Sequence, residues 1–113
     1  MIDLELTQDA KKLLKLLYAV YAARREEGKS RTEAVRFDTS ADIQSHYLYA
    51  TSADDVRSLC FELRRAGCLI GDIGNNDLCD IELTDTAIIY GEQTFERLIK
   101  NGLAYISALK GIL

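Results

Sequence analysis

Apolar residues at Leu13, Leu16, Leu17, Val20 and Tyr21 recur at helical spacing between Thr7 and Gly28, with no proline or glycine among them. The pattern predicts a long amphipathic helix over residues 7–27, closed by Gly28. Arg24 and Arg25 suit the negative end of its dipole, while Glu26 and Glu27 oppose it. In Ser30-Arg31-Thr32-Glu33 a carboxylate follows a hydroxyl by three residues. That capping-box signature predicts a short helix running through Ala34, Val35 and Phe37. Ser40-Ala41-Asp42-Ile43 predicts another cap and a turn or two of helix to about Tyr49. The strongest start signal is Thr51-Ser52-Ala53-Asp54-Asp55, where Ser52 caps and two acids fall in the first turn. It opens a helix over residues 53–66 with an apolar stripe of Val56, Leu59, Cys60 and Leu63, and Gly67 stands where a left-handed C-terminal cap is wanted.

Beyond Gly67 the period falls to two. Residues 68–73 and 78–83 read as strands joined by the turn Gly74-Asn75-Asn76-Asp77, and the second alternates Cys79, Ile81 and Leu83 with Asp80 and Glu82. Thr84 and Asp85 cap a short helix through Ala87, Ile88, Ile89 and Tyr90, and after Gly91 a last helix runs from about Thr94 to Leu113. These elements predict a mostly helical α+β fold in one domain: a body over residues 1–93 and an added C-terminal helix over 94–113.

Composition narrows the classes. At 113 residues and 48% hydrophobic content the chain can bury a core unaided. A formal charge of −4 excludes a strongly basic, non-specific polyanion binder. No apolar stretch approaches the ~20 residues that span a bilayer, and the acidic start Met1-Ile2-Asp3-Leu4-Glu5-Leu6 does not read as a secretory signal. A cytoplasmic protein without membrane contact is expected. Cys60, Cys68 and Cys79 are odd in number and lack the paired spacing of zinc sites, so three reduced, mostly buried thiols are expected.

The stretch Val56-Arg57-Ser58-Leu59-Cys60-Phe61-Glu62-Leu63-Arg64-Arg65-Ala66-Gly67-Cys68-Leu69 resembles the recognition helix and first wing strand of bacterial winged helix-turn-helix regulators. Ile81-Glu82-Leu83-Thr84-Asp85-Thr86-Ala87-Ile88-Ile89-Tyr90 is similar to the wing exit of those domains. The chain is also loosely similar to the uncharacterised YjcQ-type proteins of Gram-positive bacteria and their phages, which likewise continue into a C-terminal helix. The resemblance covers about residues 40 to 95 and its motifs are generic. The link from Ile43 to Val56 is a few residues longer than in the common regulators, which leaves open which short helix precedes the 53–66 helix in the motif.

The resemblance implies a small DNA-binding transcriptional regulator of bacterial or phage type, with helix 53–66 in a major groove and Ser52, Arg57, Ser58, Phe61, Arg64 and Arg65 as candidate contacts. Arg57 and Ser58 are able to read base edges, and Arg64 and Arg65 to meet phosphates. Asp54 and Asp55 oppose a polyanion, although helix capping accounts for both. Arg24, Arg25, Lys29 and Arg31 are the other basic surface candidates. Residues 68–96 hold seven acidic side chains and no basic one, so Asp72, Asp77, Asp80, Glu82 and Asp85 leave this wing unable to grip phosphates. Charges there discourage edge-to-edge aggregation. The alternative function is a non-enzymatic interaction module whose acidic wing docks a basic protein.

Other chemistry has little support. A divalent metal on Asp77, Asp80 and Glu82 lacks a dedicated loop, and zinc on His46 with the three cysteines would need side chains expected in the core. No metal and no cofactor are expected. With one histidine, no nucleophile motif and no glycine-rich phosphate loop, the chain does not read as an enzyme. The last helix is apolar on more than one face through Phe95, Leu98, Ile99, Leu103, Tyr105, Ile106, Leu109, Ile112 and Leu113. A homodimer is therefore expected, with Phe95, Leu98, Ile99, Gly102, Tyr105, Ile106 and Leu109 at its interface.

Overall fold

The computed structural model describes residues 3–95. Helix α1 spans Gln8–Glu26 and is capped by Thr7, whose hydroxyl accepts from the Ala10 amide. It is the centre of the core, with Leu13, Leu14, Leu16 and Leu17 all buried, and it packs against α2 (Arg31–Ala34), α4 (Ala53–Arg65) and α5 (Asp85–Thr94). Helix α3 covers Ser40–Tyr47. Three antiparallel strands, β1 (Arg36–Asp38), β2 (Leu69–Gly74) and β3 (Asp77–Leu83), form a sheet in the order β1-β3-β2. Among the described residues the fold is α+β and mostly helical, as expected, and no helix is long and apolar enough to cross a membrane.

Several sequence expectations need correction. The short helix capped by Ser30 stops at Ala34. Phe37 lies instead in β1, buried between exposed Arg36 and Asp38, and the Leu83 amide donates to the Val35 carbonyl at 3.0 Å. The third helix is capped by Thr39 rather than Ser40, through a full capping box with Asp42. Its Ser40 hydroxyl is buried and donates to the Asp77 carboxylate across the fold. In β3 the buried residues are Leu78, Ile81 and Leu83, not Cys79. Asp80 takes a left-handed conformation (φ 53°) where the β2 pairing shifts register, and this bulge resets the alternation.

Other expectations hold. Asn75 and Asn76, both left-handed (φ 51° and 62°), form the two-residue loop between paired Gly74 and Asp77. Gly67 (φ 82°) ends α4 with the Gly67 amide donating to Arg64 and the Cys68 amide to Leu63, the two bonds of a Schellman cap.

The expected boundary after residue 93 falls inside α5, which runs unbroken to Thr94. Gly91 lies within this helix, and its missing Cβ admits the Tyr18 ring, whose Cγ and Cε1 would lie 2.6 Å from a Cβ there. Phe95, expected at a dimer interface, is buried within this chain. Its ring meets Tyr90 edge-on at 5.5 Å and Tyr18 at 6.4 Å. The remaining interface candidates, Leu98, Ile99, Gly102, Tyr105, Ile106 and Leu109, lie outside the described residues.

Candidate functional site

Helix α4 owes its position to three inward side chains, Val56, Cys60 and Leu63, and to links at both ends. At its start the Ser52 hydroxyl accepts from the Asp55 amide at 3.1 Å. Further on, the Glu62 carboxylate accepts from the Thr7 amide (2.8 Å) and hydroxyl (2.9 Å), fastening α4 to the beginning of α1. At its end Arg64 Nε donates to the Gly71 carbonyl at 3.2 Å, tying the helix to the hairpin. These bonds turn one face of α4 outward, on which Ser52, Asp54, Asp55, Ser58, Arg64 and Arg65 are exposed.

The six candidate contacts divide accordingly. Ser58 and Arg65 are open to solvent, and Ser52 is exposed but has committed its oxygen to the cap. Arg57, half-exposed, pairs with the Asp54 carboxylate one turn back. An exposed pair of this kind holds by no more than ~1 kcal/mol, so a stronger acceptor can exchange for it. Arg64 keeps its terminal nitrogens beyond the Nε bond. Phe61 is half-buried and packs against the margin of the core, as Leu59 does.

The other basic candidates are partly consumed. Arg24 is an internal clamp that donates to the carbonyls of Ala34 (3.2 Å) and Arg36 and lies 4.7 Å over the Phe37 ring. Arg25 reaches the Lys29 carbonyl, and Arg31 pairs with Asp85 at 2.5 Å.

On the hairpin, Asp72 and Asp80 are exposed and Glu82 half-buried. Asp77 turns inward to accept from Ser40 and from the Leu78 amide (2.8 Å), which takes it out of any set with Asp80 and Glu82. Among the described residues no group of three or more His, Cys, Asp or Glu side chains is placed to hold a metal ion. Cys60 and Cys68 are buried and Cys79 half-buried, all as free thiols. Burial, and then the Asp77 carboxylate, push the Cys60 thiol up to about 12, and burial pushes Cys68 up to about 11. Thiols held protonated to that degree are poor nucleophiles and poor ligands at neutral pH.

Three arrangements escaped the sequence: the Arg24 clamp, the Glu62 bond to Thr7, and the Ser40 bond to Asp77. Each joins residues far apart in the chain, and no local spacing marks it. No family model matches the sequence, nor does any curated protein or solved structure.

Proposed function

We propose that the chain is a small DNA-binding regulator with a winged helix-turn-helix fold. In this reading α3 and α4 form the two-helix motif, α4 enters the major groove, and the β2–β3 hairpin is the wing. The observation that carries it is the arrangement itself: helix, strand, two helices and a hairpin closing on a sheet ordered β1-β3-β2, with the outer face of α4 left exposed. Arg57 exchanges Asp54 for a base edge, while Arg64 and Arg65 meet phosphates. The protein acts by binding and not as an enzyme. It does so as a homodimer, a proposal that rests on the apolar sequence of residues 96–113.

Electrophoretic retardation with a library of fragments from the source genome tests the reading. At ~50 mM salt, where phosphate attraction is strong, some duplex should shift, and Arg57→Ala should weaken its binding by ~1–3 kcal/mol. No retarded fragment under those conditions removes the reading. Sedimentation equilibrium tests the dimer: a single 12.7 kDa species at tens of micromolar would end it.

A further inference from the structure

The two acids in the first turn of α4 are placed differently. Asp55 borders a hollow shared with Asp9 of α1 and with Ser58. Asp54 stands on the outward face, where 3.6 residues per turn set it between Arg57 and Ser58. Its side chain is 81% exposed and pairs with Arg57. The cap at this end of the helix is made by the Ser52 hydroxyl on the Asp55 amide, so capping does not account for the Asp54 carboxylate.

The exchange proposed for Arg57 sets a condition on Asp54. Once Arg57 turns to a base, the carboxylate loses its partner where DNA excludes water, and an unpaired charge there is costly unless it finds a donor. In the major groove the donors are few. Cytosine offers its N4 amine and adenine its N6 amine, whereas guanine and thymine present acceptors that repel a carboxylate. Adenine also sets its N7 acceptor beside the amine, while cytosine offers the amine alone, so cytosine suits Asp54 best. Arg57 for its part finds two acceptors on guanine, O6 and N7. Residues three apart lie about 4.5 Å apart along a helix axis, and successive base pairs are about 3.4 Å apart. With α4 along the groove, the two side chains therefore address neighbouring pairs.

We propose that Asp54 is a specificity-determining residue of the α4 site: it accepts from the amino group of a cytosine in the base pair next to the guanine that Arg57 reads, and it rejects guanine and thymine at that place. The proposal rests on the DNA reading and goes one step past it, naming the bases that the site selects.

The test is selection from duplexes with a randomised centre at ~50 mM salt, followed by sequencing of the retained fraction. It is run on the full chain and on Asp54→Ala, Asp54→Asn and Arg57→Ala. The parent chain should select a cytosine beside a guanine. Asp54→Ala should lose the preference for cytosine and keep that for guanine, with the favoured duplex weakened roughly tenfold against unrelated ones. Asp54→Asn, whose amide both donates and accepts, should move the preference at the same pair from cytosine to adenine. A merely structural role for Asp54 would not produce that switch. Arg57→Ala should relax the guanine position instead. The Asp54 side chain is exposed, and the Asn variant keeps its shape, so folding is preserved. A parent chain that selects no cytosine beside a guanine, an unchanged preference in both Asp54 variants, or a change spread evenly over all positions would overturn the proposal while leaving DNA binding in place. If the parent chain retains no duplex at all, the DNA reading falls and this proposal falls with it.

Discussion

At the residue scale, the tightest constraint is the contact of Gly91 with Tyr18. The Tyr18 ring is buried and has Tyr21 at 6.0 Å and Phe95 at 6.4 Å as neighbours, so it has little room to retreat. Gly91→Ala adds helix propensity worth ~1 kcal/mol but overpacks the ring contact at ~1–3 kcal/mol. A net loss is expected, read as a melting temperature lower by several degrees in circular dichroism; an unchanged or higher Tm would mean that the ring yields freely. The buried thiols give a second residue-scale expectation. Below the ordinary thiol value of 9.0 the folded and unfolded chains both keep these protons, and the full stability is present. Above it the unfolded chain releases them while Cys60 and Cys68 hold theirs to about 12 and 11. Stability should therefore fall as pH rises from 9 towards 11. Urea titrations should show a shallower fall for Cys60→Ala than for the parent chain, whatever the offset in stability; parallel profiles would refute the thiol's part.

At the scale of elements, one arginine sets how β1 sits. Arg24 leaves α1 to bond carbonyls on both sides of the α2–β1 junction and covers Phe37. Arg24→Met keeps the stem and removes the donors, leaving two carbonyls short of a partner at ~1–3 kcal/mol. Denaturant unfolding should show this as a lower midpoint with an unchanged slope. Arg24 reads as a favourable last-turn charge in sequence, because nothing local says that its side chain turns inward. The elements that were legible carry their own local chemistry: Ser52 with its acids, the Asn75-Asn76 turn, Gly67 as a left-handed cap. Strand β1 was not, since Val35 and Phe37 continue a helical pattern as well as they begin a strand of three residues. The outer face of α4 was legible through Arg57, Ser58, Arg64 and Arg65. How far Phe61 leans inward was not legible, because an aromatic at the margin of a helical stripe is drawn in by neighbours that only the fold supplies.

At the scale of the whole molecule, charge is distributed so that the hairpin and α5 offer a polyanion nothing to grip. Arg24 is turned inward, Arg31 is paired with Asp85, and residues 68–95 carry no positive charge. On α4 itself Arg57, Arg64 and Arg65 remain, with Asp54 and Asp55 opposing them, while exposed Lys11, Lys12, Arg25, Lys29 and Arg36 belong to other parts of the chain. Each phosphate neutralised contributes about −0.9 to the slope of log K against log salt concentration. Three contacts per protomer thus give about −3, and a dimer about −5 to −6, short of the values near −10 that phosphate-rich interfaces reach. Fluorescence anisotropy across a salt series on a retarded duplex measures the slope directly. Arg65→Ala should flatten it by about 1 per protomer with little change in sequence preference, since a phosphate contact carries no base information. Asp72→Asn with Asp80→Asn should strengthen binding to unrelated duplexes by relieving repulsion at the hairpin. A slope well beyond −6 would place further cations on the DNA and refute the assignment of the contact to α4 alone.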